Sequence, residues 1–364
     1  MDFSFTPEQD MLRDSLGKLL AQTYSFDQRQ ALLKSGAARS EPVWQALGEM
    51  GLLALPFAES DGGLGGQPSD LVACGLVMGR HLVAEPWLAS VLLGGKALAL
   101  GGARAQPLLA DVIAGNAQVA LAHEERHGIG PVTAMGTTLT LNGDAVQLDG
   151  EKKLVLGGAE ANALIVSARA GDKLALVRVD PSAPGVAVTG YSMIDGRRAA
   201  TVRFEHVIIP AAQVMRDDAE AALDAVIENA LLTLSAEAVG AMGALLEMTG
   251  SYAATRKQFG VPIGSFQAMA HRLADMKIAW AKAQALLLYT TALIEAGQAS
   301  PRDVALLKAQ MGRLGRAVGE SAVQVHGGIG MTDELAVGHY LKRLLAIEAM
   351  LGSTDYHLRR VGAR

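Results

Sequence analysis

The sequence predicts an α+β protein with a helical N-terminal part, a β-rich middle and a second helical part. In the first and last parts, apolar residues recur at the spacing of a helix face. From about residue 117 they alternate with polar residues, as in a half-buried strand, and after about residue 215 the helical spacing returns. The 364 residues also exceed the usual limit of one hydrophobic core. The predicted domains are residues 1–115, 116–212 and 213–364.

The N-terminal part begins with a strong helix signal. Thr6 suits the N-cap, Pro7 the first turn, and Gln9 the closing position of a capping box. Further helices are expected over roughly 40–51, 68–80 and 103–114, because apolar residues there keep the helical period. This part is therefore predicted to be a helical domain.

The middle part contains two hairpin signals. Turn-forming residues at 142–144 and at 171–172 each lie between two segments of alternating polarity. We therefore expect a compact β domain that ends near Pro210. Its predicted strands are 138–141, 145–148, 164–168, 174–179, 186–188 and 201–207.

The C-terminal part carries the longest helical patterns in the chain. Four segments keep the helical period over many turns. The predicted helices are 219–254, 266–297, 301–324 and 333–350.

Composition excludes several classes of protein. The net charge of −5 is spread along the chain without a basic block, which argues against nucleic-acid binding. A single cysteine, Cys74, excludes a disulfide framework and a cysteine-based metal cage. Uninterrupted apolar runs are too short to span a bilayer, and residues 1–20 lack the pattern of a signal peptide. We therefore expect a cytoplasmic protein.

Two motifs in the C-terminal part carry chemistry. Residues 256–260, Arg-Lys-Gln-Phe-Gly, place an arginine and an aromatic ring at the end of a long helical segment. Residues 324–330, Gln-Val-His-Gly-Gly-Ile-Gly, place an amide, an imidazole and bare glycine backbone at the end of another. Arginine offers a phosphate a planar fork of donors, and consecutive glycines let main-chain N–H groups approach an anion. Together the motifs indicate a large phosphate-bearing cofactor.

The order of the three parts and these motifs resemble the acyl-CoA dehydrogenases, which are FAD flavoproteins. The implied fold has a helical N-terminal domain, a middle β-barrel domain and a C-terminal four-helix bundle that forms the oligomer. Among family members, the chain looks most like the small subunit of bacterial pimeloyl-CoA-type dehydrogenases. The matching segments are 51–56, 62–65, 252–260, 262–267, 274–276 and 324–330, with Thr332 and Glu334.

The resemblance implies a tetramer in which each FAD lies between two subunits. Arg256 would hold the pyrophosphate, with Phe259 and Gln267 toward the adenine. Residues 324–328 would wrap the cofactor of a neighbouring subunit, where His326 either donates to a phosphate or caps its own helix. No metal ligand is expected. The expected FAD contacts are Arg256, Gln258, Phe259, Gln267, Gln324, Val325, His326, Gly327, Gly328 and Ser353.

The resemblance also implies the reaction. A carboxylate removes the proton alpha to the thioester carbonyl, and the flavin takes a hydride from the beta carbon. Family members place the glutamate base either after the last long helix or on the helix before the arginine motif. Here Leu351 and Ala230 stand at these two positions, and neither side chain can accept a proton. The catalytic base is therefore unknown.

Three explanations for the missing base remain open. The chain is a subunit of a heteromeric dehydrogenase whose partner supplies the base, or it uses a displaced carboxylate, or it has lost the activity; we favour the first. Four carboxylates lie near the two positions in sequence: Glu228, Glu237, Glu348 and Asp355. The stronger candidate among them is Glu237, which lies about two helical turns beyond Ala230 and so faces roughly the same way. A structural salt bridge is the favoured alternative role for Glu237.

The segments of the middle domain that would face the flavin depart from the family pattern. The family's Thr-Glu-Pro loop corresponds to residues 123–127, His-Glu-Glu-Arg-His, and its Trp-Ile-Thr strand corresponds to residues 154–156, Leu-Val-Leu. Residues 123–127 also match the zinc-protease pattern His-Glu-x-x-His. Glycines and a proline follow at 128–131, so the helix that such a zinc site needs is not expected. We expect a charged loop at the mouth of the flavin cleft instead.

The sequence thus predicts FAD-dependent α,β-dehydrogenation of an acyl-CoA thioester, with a second acyl-CoA dehydrogenase chain as partner in a homo- or heterotetramer. Two alternatives remain open. One is a non-catalytic partner subunit that binds FAD or acyl-CoA. The other is a flavin monooxygenase on the same fold, which needs no glutamate base. A zinc hydrolase is the most remote possibility.

Overall fold

The computed structural model describes residues 4–125, 129 and 132–362. The predicted capping box is present, since Thr6 Oγ1 accepts from the N–H of Gln9 and Gln9 Oε1 accepts from the N–H of Thr6. The predicted N-terminal helices are confirmed as α1, α3, α4 and α6, whereas α2, a π-helical segment at Trp87–Gly95 and α5 have no counterpart in the prediction. The bounds are α1 Pro7–Thr23, α2 Phe26–Ser35, α3 Glu41–Glu49, α4 Pro68–Arg80, α5 Lys96–Ala99 and α6 Gln106–Ile113.

The middle of the chain forms an eight-stranded sheet. Both predicted hairpins are present, with Asn142 opposite Ala145 and Ala170 opposite Lys173. The strands follow the order β6-β7-β3-β2-β4-β5-β8, and β1 pairs with β4 in parallel. The predicted β domain is therefore confirmed as one sheet. Its strands are β1 Val119–Ala122, β2 Thr138–Asn142, β3 Ala145–Leu156, β4 Ala163–Ala170, β5 Lys173–Val179, β6 Val186–Ser192, β7 Arg198–Pro210 and β8 Val214–Arg216.

The C-terminal part contains the four predicted long helices, which end within a few residues of the predicted bounds. A fifth, short and polar helix, α11, was not predicted. By length and composition α7 could cross a membrane, but 72% of its most apolar stretch is buried inside the protein, as in the core helix of a soluble protein. The bounds are α7 Glu220–Thr255, α8 Gln267–Glu295, α9 Pro301–His326, α10 Ala336–Ala349 and α11 Thr354–Gly362.

Contacts divide the chain into two compact units. Unit 1 consists of residues 1–31, 67–83 and 231–364, and unit 2 consists of residues 32–66 and 84–230. Unit 1 contains α1, α4 and most of the C-terminal helices, and unit 2 contains the sheet with the remaining N-terminal helices. Because the N-terminal helices are shared between the units, the three predicted domain boundaries stay a prediction.

Glycines allow α4 and α7 to cross closely within unit 1. A Cβ on Gly79 would overlap the carbonyl oxygen of Glu237, and a Cβ on Gly240 would overlap the carbonyl oxygen of Leu76. The two backbones therefore touch without intervening side chains. This crossing fixes the stretch of α7 that carries Glu237.

We predict that Gly79→Ala destabilises the protein by about 3 kcal/mol or more, because the added methyl group collides with backbone that cannot move aside. The matched control is Gly250→Ala, also in α7, where an added Cβ meets no atom within 4 Å. There the higher helix propensity of alanine should stabilise the protein by about 0.5–1 kcal/mol. Urea unfolding of both variants measures the two changes, and equal effects would contradict the close crossing.

Candidate functional site

A short hairpin directly after α7 carries the first motif. Arg256 follows the last helical residue, and β9 (Lys257–Gln258) pairs with β10 (Val261–Pro262) in antiparallel register. The two residues of the turn, Phe259 and Gly260, have φ angles of 53° and 85°. Positive φ at both central residues is the geometry of a type I′ turn, which suits glycine and strains phenylalanine.

The hairpin presents its side chains to the outside of unit 1. Phe259 is 93% exposed, and its ring meets the ring of Phe266 edge to face with the centroids 6.2 Å apart. Arg256, Gln258 and Gln267 are also exposed. Within the described residues, no ion pair holds the guanidinium of Arg256. An exposed aromatic ring on strained backbone beside an arginine is typical of a binding surface, because backbone strain persists mainly at functional sites.

The second motif ends α9 in exposed main chain. Gly327 follows the helix with a φ of 66°, and its N–H donates to the last helical turn. A Cβ on Gly327 or on Gly328 would meet no atom within 4 Å, so open space borders the backbone here. The side chain of Gln324 is exposed, and that of Val325 is buried. The main chain can therefore be approached closely by a ligand, as the sequence predicts.

His326 is held from two sides. Its Nδ1 lies 2.9 Å from the carbonyl oxygen of Ala322, and its ring stacks on the ring of Tyr252 at a centroid distance of 4.3 Å. A carbonyl can only accept, so Nδ1 carries the hydrogen, and in the neutral ring Nε2 is an acceptor. His326 thus caps its own helix, and contact with the cofactor stays a prediction.

The same stacking brings the two motifs together. Tyr252 lies four residues before Arg256 on the last turn of α7, and His326 lies directly before Gly327 at the end of α9. Their contact therefore sets the arginine hairpin and the glycine turn side by side on one face of unit 1.

The first position expected for the base is a strained turn. Leu351 has a φ of 54° and is only 5% exposed. Its carbonyl oxygen lies 2.9 Å from Nε2 of His357. The buried Lys308 donates to the carbonyl oxygens of Glu348 and Gly352 on either side. The turn is thus fixed by α9 and α11, and it offers an apolar side chain at this position expected for the base.

The residues after this turn begin α11. Ser353 Oγ accepts from the N–H of Tyr356 at 3.3 Å, and Glu348 Oε1 accepts from the N–H of Thr354 at 3.1 Å. Both side chains satisfy N–H groups at the helix start. The carboxylate of Glu348 therefore has a structural partner, and contact of Ser353 with FAD stays a prediction.

The second position expected for the base is also apolar, since Ala230 is fully buried in α7. Glu237, farther along the helix, is 7% exposed. Its Oε1 and Oε2 accept from Nε and Nη2 of the buried Arg343 at 2.8 and 2.7 Å. This two-bond pairing of a carboxylate with a guanidinium is the salt bridge that the sequence left open as the alternative. The pairing stabilises ionised Glu237 and opposes its taking a proton.

The start of the loop expected to face the flavin is tied to the sheet of unit 2 by buried polar groups. His123 Nδ1 lies 2.9 Å from Ser167 Oγ. Lys152 Nζ donates to the carbonyl oxygen of His123 at 3.1 Å, to Glu125 Oε1 at 2.9 Å and to Ser167 Oγ at 3.3 Å. Arg126 and His127, the rest of the zinc-protease pattern, lie outside the described residues. Leu154, on the strand expected to face the flavin, has a φ of 49° at an irregularity in the pairing of β3 with β7.

Burial governs the ionisation of this network. It lowers the pKa of His123 to about 3, with help from the Lys152 charge, so the imidazole is neutral. It also lowers the pKa of Lys152 to about 8, against the attraction of Glu125. Burial opposes the ionisation of Glu125, but Lys152 and the N–H groups of Gly136 and Thr137 hold its pKa at about 2. At neutral pH the network is an ion pair beside a neutral histidine.

Comparison with known proteins agrees with this fold. Two family models match: Acyl-CoA dehydrogenase, N-terminal domain, over residues 6–106, and Acyl-CoA dehydrogenase, C-terminal domain, over residues 220–364. The acyl-CoA dehydrogenase FadE27 of Mycobacterium tuberculosis is 31% identical over 379 residues, covering 100% of this chain and 98% of the relative. The chain therefore belongs to the acyl-CoA dehydrogenase family, whose members are FAD-dependent oxidoreductases acting on CH–CH bonds.

Two solved structures that are similar to this chain have names that join two proteins, and one of them is called a complex. The ChsE4–ChsE5 complex from Mycobacterium tuberculosis has a TM-score of 0.91 and 28% identity, covering 100% of this chain and 98% of that chain. A variant of the Tcur3481–Tcur3483 steroid ACAD has a TM-score of 0.87 and 28% identity, covering 98% and 96%. The predictions of family, fold and oxidoreductase class are thus confirmed. The narrower resemblance to pimeloyl-CoA-type small subunits stays a prediction.

The described residues fit the dinucleotide end of FAD. The pyrophosphate needs cationic and N–H donors, and the exposed Arg256 and the uncovered backbone at Gly327 and Gly328 offer both. Phe259 offers an exposed ring to a purine. These groups need no rearrangement to become accessible.

Sequence reasoning missed two buried ionic groups. Arg343 was not singled out, although an arginine directly followed by two leucines on a helix signals a buried partner. Lys152 was likewise missed, and its position in the middle of a predicted β region was the available signal. In both cases the partner is distant in the chain, since Arg343 is 106 residues from Glu237 and Lys152 is 27 residues from Glu125.

We predict that Glu237→Gln destabilises the protein by about 3–5 kcal/mol, because it leaves the charge of Arg343 buried without its counter-ion. The double variant Glu237→Met with Arg343→Met should recover most of this loss, since two apolar side chains replace the pair. Urea unfolding of the single and double variants measures the coupling.

The matched control is Glu247→Gln, which breaks an exposed pair with Arg80 and should change stability by less than about 1 kcal/mol. A double variant no more stable than Glu237→Gln would show that the charges of Glu237 and Arg343 are not coupled.

We predict that His123 makes the chain sensitive to acid. The folded-state pKa of about 3 lies below the ordinary value of 6.5, so the unfolded chain gains a proton first as the pH falls. The contribution of neutral His123 to the free energy of unfolding is therefore intact above pH 6.5. It is lost between pH 6.5 and 3, by at most roughly 1.4 kcal/mol per pH unit. His123→Gln should flatten the pH dependence of the unfolding free energy in this window. The exposed His206, replaced by glutamine, is the control, and an unchanged slope in His123→Gln would contradict the assignment.

Proposed function

We propose that this chain is a subunit of a heteromeric acyl-CoA dehydrogenase that catalyses FAD-dependent α,β-dehydrogenation of an acyl-CoA thioester. In this proposal the chain binds the dinucleotide end of FAD, and a second acyl-CoA dehydrogenase chain supplies the carboxylate that abstracts the proton. FAD, when bound, supplies the acceptor for the hydride that leaves the beta carbon of the substrate. We infer a cytoplasmic location.

One contrast carries the proposal. Arg256, Phe259, Gly327 and Gly328, expected at the dinucleotide end, are exposed and chemically suited. Both positions expected for the base, in contrast, hold buried apolar side chains, Leu351 and Ala230. Abstraction of an α proton needs a group that can accept it within hydrogen-bond reach. The displaced candidate, Glu237, is held by Arg343 in two hydrogen bonds. The chain therefore offers half of what the reaction requires.

The chain's own residues would bind and orient the cofactor. Arg256 would neutralise the pyrophosphate charge, and the N–H groups of Gly327 and Gly328 would donate to it. Phe259 would lie against the adenine, with Gln258, Gln267 and Gln324 as polar contacts around it. Because Tyr252 stacks on His326, the two motifs adjoin. We infer that they hold the same dinucleotide, the one that lies between this chain and the neighbouring subunit. Val325 and His326 would support the glycine turn from inside.

The similar solved structures support the heteromeric arrangement. One is named as a complex of two different chains, ChsE4 and ChsE5, and the other carries the paired name Tcur3481–Tcur3483. Each single chain in these comparisons matches this one over nearly its full length. A partner of the same family would therefore have the size and fold to complete a shared site.

A non-catalytic partner subunit is the second candidate function. The observation that favours it is the pairing of Glu237 with Arg343, which removes the buried carboxylate on α7 as a ready base. In that case the chain would bind FAD or acyl-CoA and stabilise an active partner without taking part in the chemistry.

The test is to tag the chain in its native source, purify it with and without its co-purifying chain, and add acyl-CoA to each sample. We expect loss of the visible flavin absorbance only in the sample that contains both chains. Bleaching by the isolated chain would show that it holds its own base. A complex that stays colourless after incubation with FAD would overturn the flavoprotein proposal.

We predict that Arg256→Ala weakens FAD binding roughly ten- to a hundredfold, because a charge-assisted contact to phosphate is lost. The FAD affinity of Arg256→Lys should lie between those of the unchanged chain and Arg256→Ala, since lysine keeps the charge but lacks the planar guanidinium. Flavin content per chain and titration with FAD measure the change. Arg302→Ala, at another exposed arginine of unit 1, is the control and should retain FAD. Equal retention in Arg256→Ala and Arg302→Ala would contradict the assignment.

A further inference from the structure

A two-lobed cleft lies within unit 2, and its lining includes no residue assigned above to FAD or to the base. The larger lobe has a volume of about 370 Å³ and is bounded by the start of β4 and the ends of β5 and β7. The smaller lobe, of about 190 Å³, lies beside the segment that joins α5 to α6. Arg178 and Gln213 line both lobes, so the two lobes adjoin at this pair of side chains. The larger lobe falls in the size range of small-molecule sites.

Hydrogen-bond donors dominate the polar part of this cleft. Arg178 donates through Nε to Gln213 Oε1 at 2.6 Å, which fixes the plane of its guanidinium. Among the described residues, no partner is recorded for its two Nη nitrogens. Arg104 lines the smaller lobe and is exposed, likewise without a recorded ion pair in the described part of the chain. Two guanidinium groups thus border one small space.

A further donor lies at the larger lobe. Asn162 accepts through Oδ1 from the N–H of Gln118 at 2.8 Å, which leaves its Nδ2 as a donor. The acid in the lining, Asp180, accepts from both the N–H and the hydroxyl of Ser182. The lining therefore carries two cations and one acid that is already hydrogen-bonded, so its field favours an anion.

The rest of the larger lobe is apolar. Leu108, Val179, Ala183 and Ile209 line it, together with Ile208, which is 54% exposed. An isoleucine exposed to this extent at the wall of a cleft gains by being covered, at roughly 25 cal/mol for each Å² removed from water. The cleft thus pairs a cationic end with an apolar wall.

We propose that this cleft binds a small anionic amphiphile, with its anionic head at Arg178 and Arg104 and its apolar body along Ile208 and Val179. A carboxylate and a phosphate monoester both match the donors, because a guanidinium forms paired hydrogen bonds with either. The site is independent of FAD, since its lining includes none of the residues proposed to hold the cofactor.

The experiment is isothermal titration of the purified protein, as isolated with its natural partner chain, with octanoate, octyl phosphate and octanol at low ionic strength. We expect saturable binding of at least one of the two anions and much weaker binding of octanol. Whichever anion binds more tightly identifies the head group. Binding of the anions should weaken as salt is added, because the arginines are near the surface.

The variants locate the site. Arg178→Met and Arg104→Ala should each weaken anion binding roughly tenfold or more, and Ile208→Glu should also weaken it by placing a negative charge on the wall. Ile194→Glu, at a 60% exposed isoleucine of the same unit outside the cleft, is the matched control and should bind normally. Arg104→Ala removes an exposed side chain, so it remains informative if Arg178→Met disturbs the fold.

Three outcomes would overturn the proposal. One is the absence of saturable binding of both anions, and another is binding of octanol as tight as that of octanoate. The third is unchanged anion affinity in folded Arg178→Met and Arg104→Ala. Flavin content is measured in parallel: a protein without FAD that still binds octanoate at this cleft would refute the proposed function and leave this inference standing.

Discussion

The buried pairing of Glu237 with Arg343 is the interaction on which the interpretation of this chain depends. It joins α7 to α10 inside unit 1, at a point where glycines already bring α4 against α7. Two charges in this setting persist because each oxygen of the carboxylate meets a nitrogen of the guanidinium. The same bonds that make the pair tolerable make Glu237 a poor proton acceptor. One interaction thus bears on both the packing of the bundle and its chemistry.

Strained backbone occurs in two of the turns that are expected to lie at the site. Phe259 and Leu351 both adopt positive φ, which is unfavourable for residues with a side chain. The turn of Phe259 is short and exposed, whereas the turn of Leu351 is held by Lys308 and His357. A residue keeps such an unfavourable φ only when contacts with the surrounding structure outweigh its energetic cost. In one turn the strain presents an aromatic ring outward, and in the other it fixes an apolar side chain.

Regular periodicity explains which parts of the fold could be predicted from sequence. The capping box at Thr6, the hairpin turns near residues 143 and 171, and the long amphipathic helices each have a local signature, and each was found. Eight of the nine residues of the segment Trp87–Gly95 are buried, so apolar residues lie on all its sides. Without a polar face the segment shows no periodic pattern from which a helix could be predicted. The short helix α11 is mostly polar and begins with side-chain caps from Glu348 and Ser353, which only the folded chain brings into place.

The candidate site was predictable to the extent that its chemistry is local. Arg256, Phe259 and the glycines of the second motif are recognisable because each acts through its own side chain or its lack of one. The stacking of Tyr252 on His326, which sets the two motifs side by side, joins α7 to α9 and has no sequence signature. The pairing of Lys152 with Glu125 is equally non-local. Such contacts depend on packing between elements, which the period of a single element does not contain.

The two ends of the expected flavin site differ in a way that physical chemistry can interpret. Holding a dinucleotide tail requires charge and accessible backbone, and the hairpin at Arg256 and the turn at Gly327 supply both. Abstracting a proton requires a basic group in reach, and this chain presents Leu351, Ala230 and an ion-paired Glu237 instead. Contacts to a cofactor can come from two chains, because each contact contributes separately, whereas a base must be a single side chain. This difference between the two ends is the reason for proposing that a second chain supplies the base.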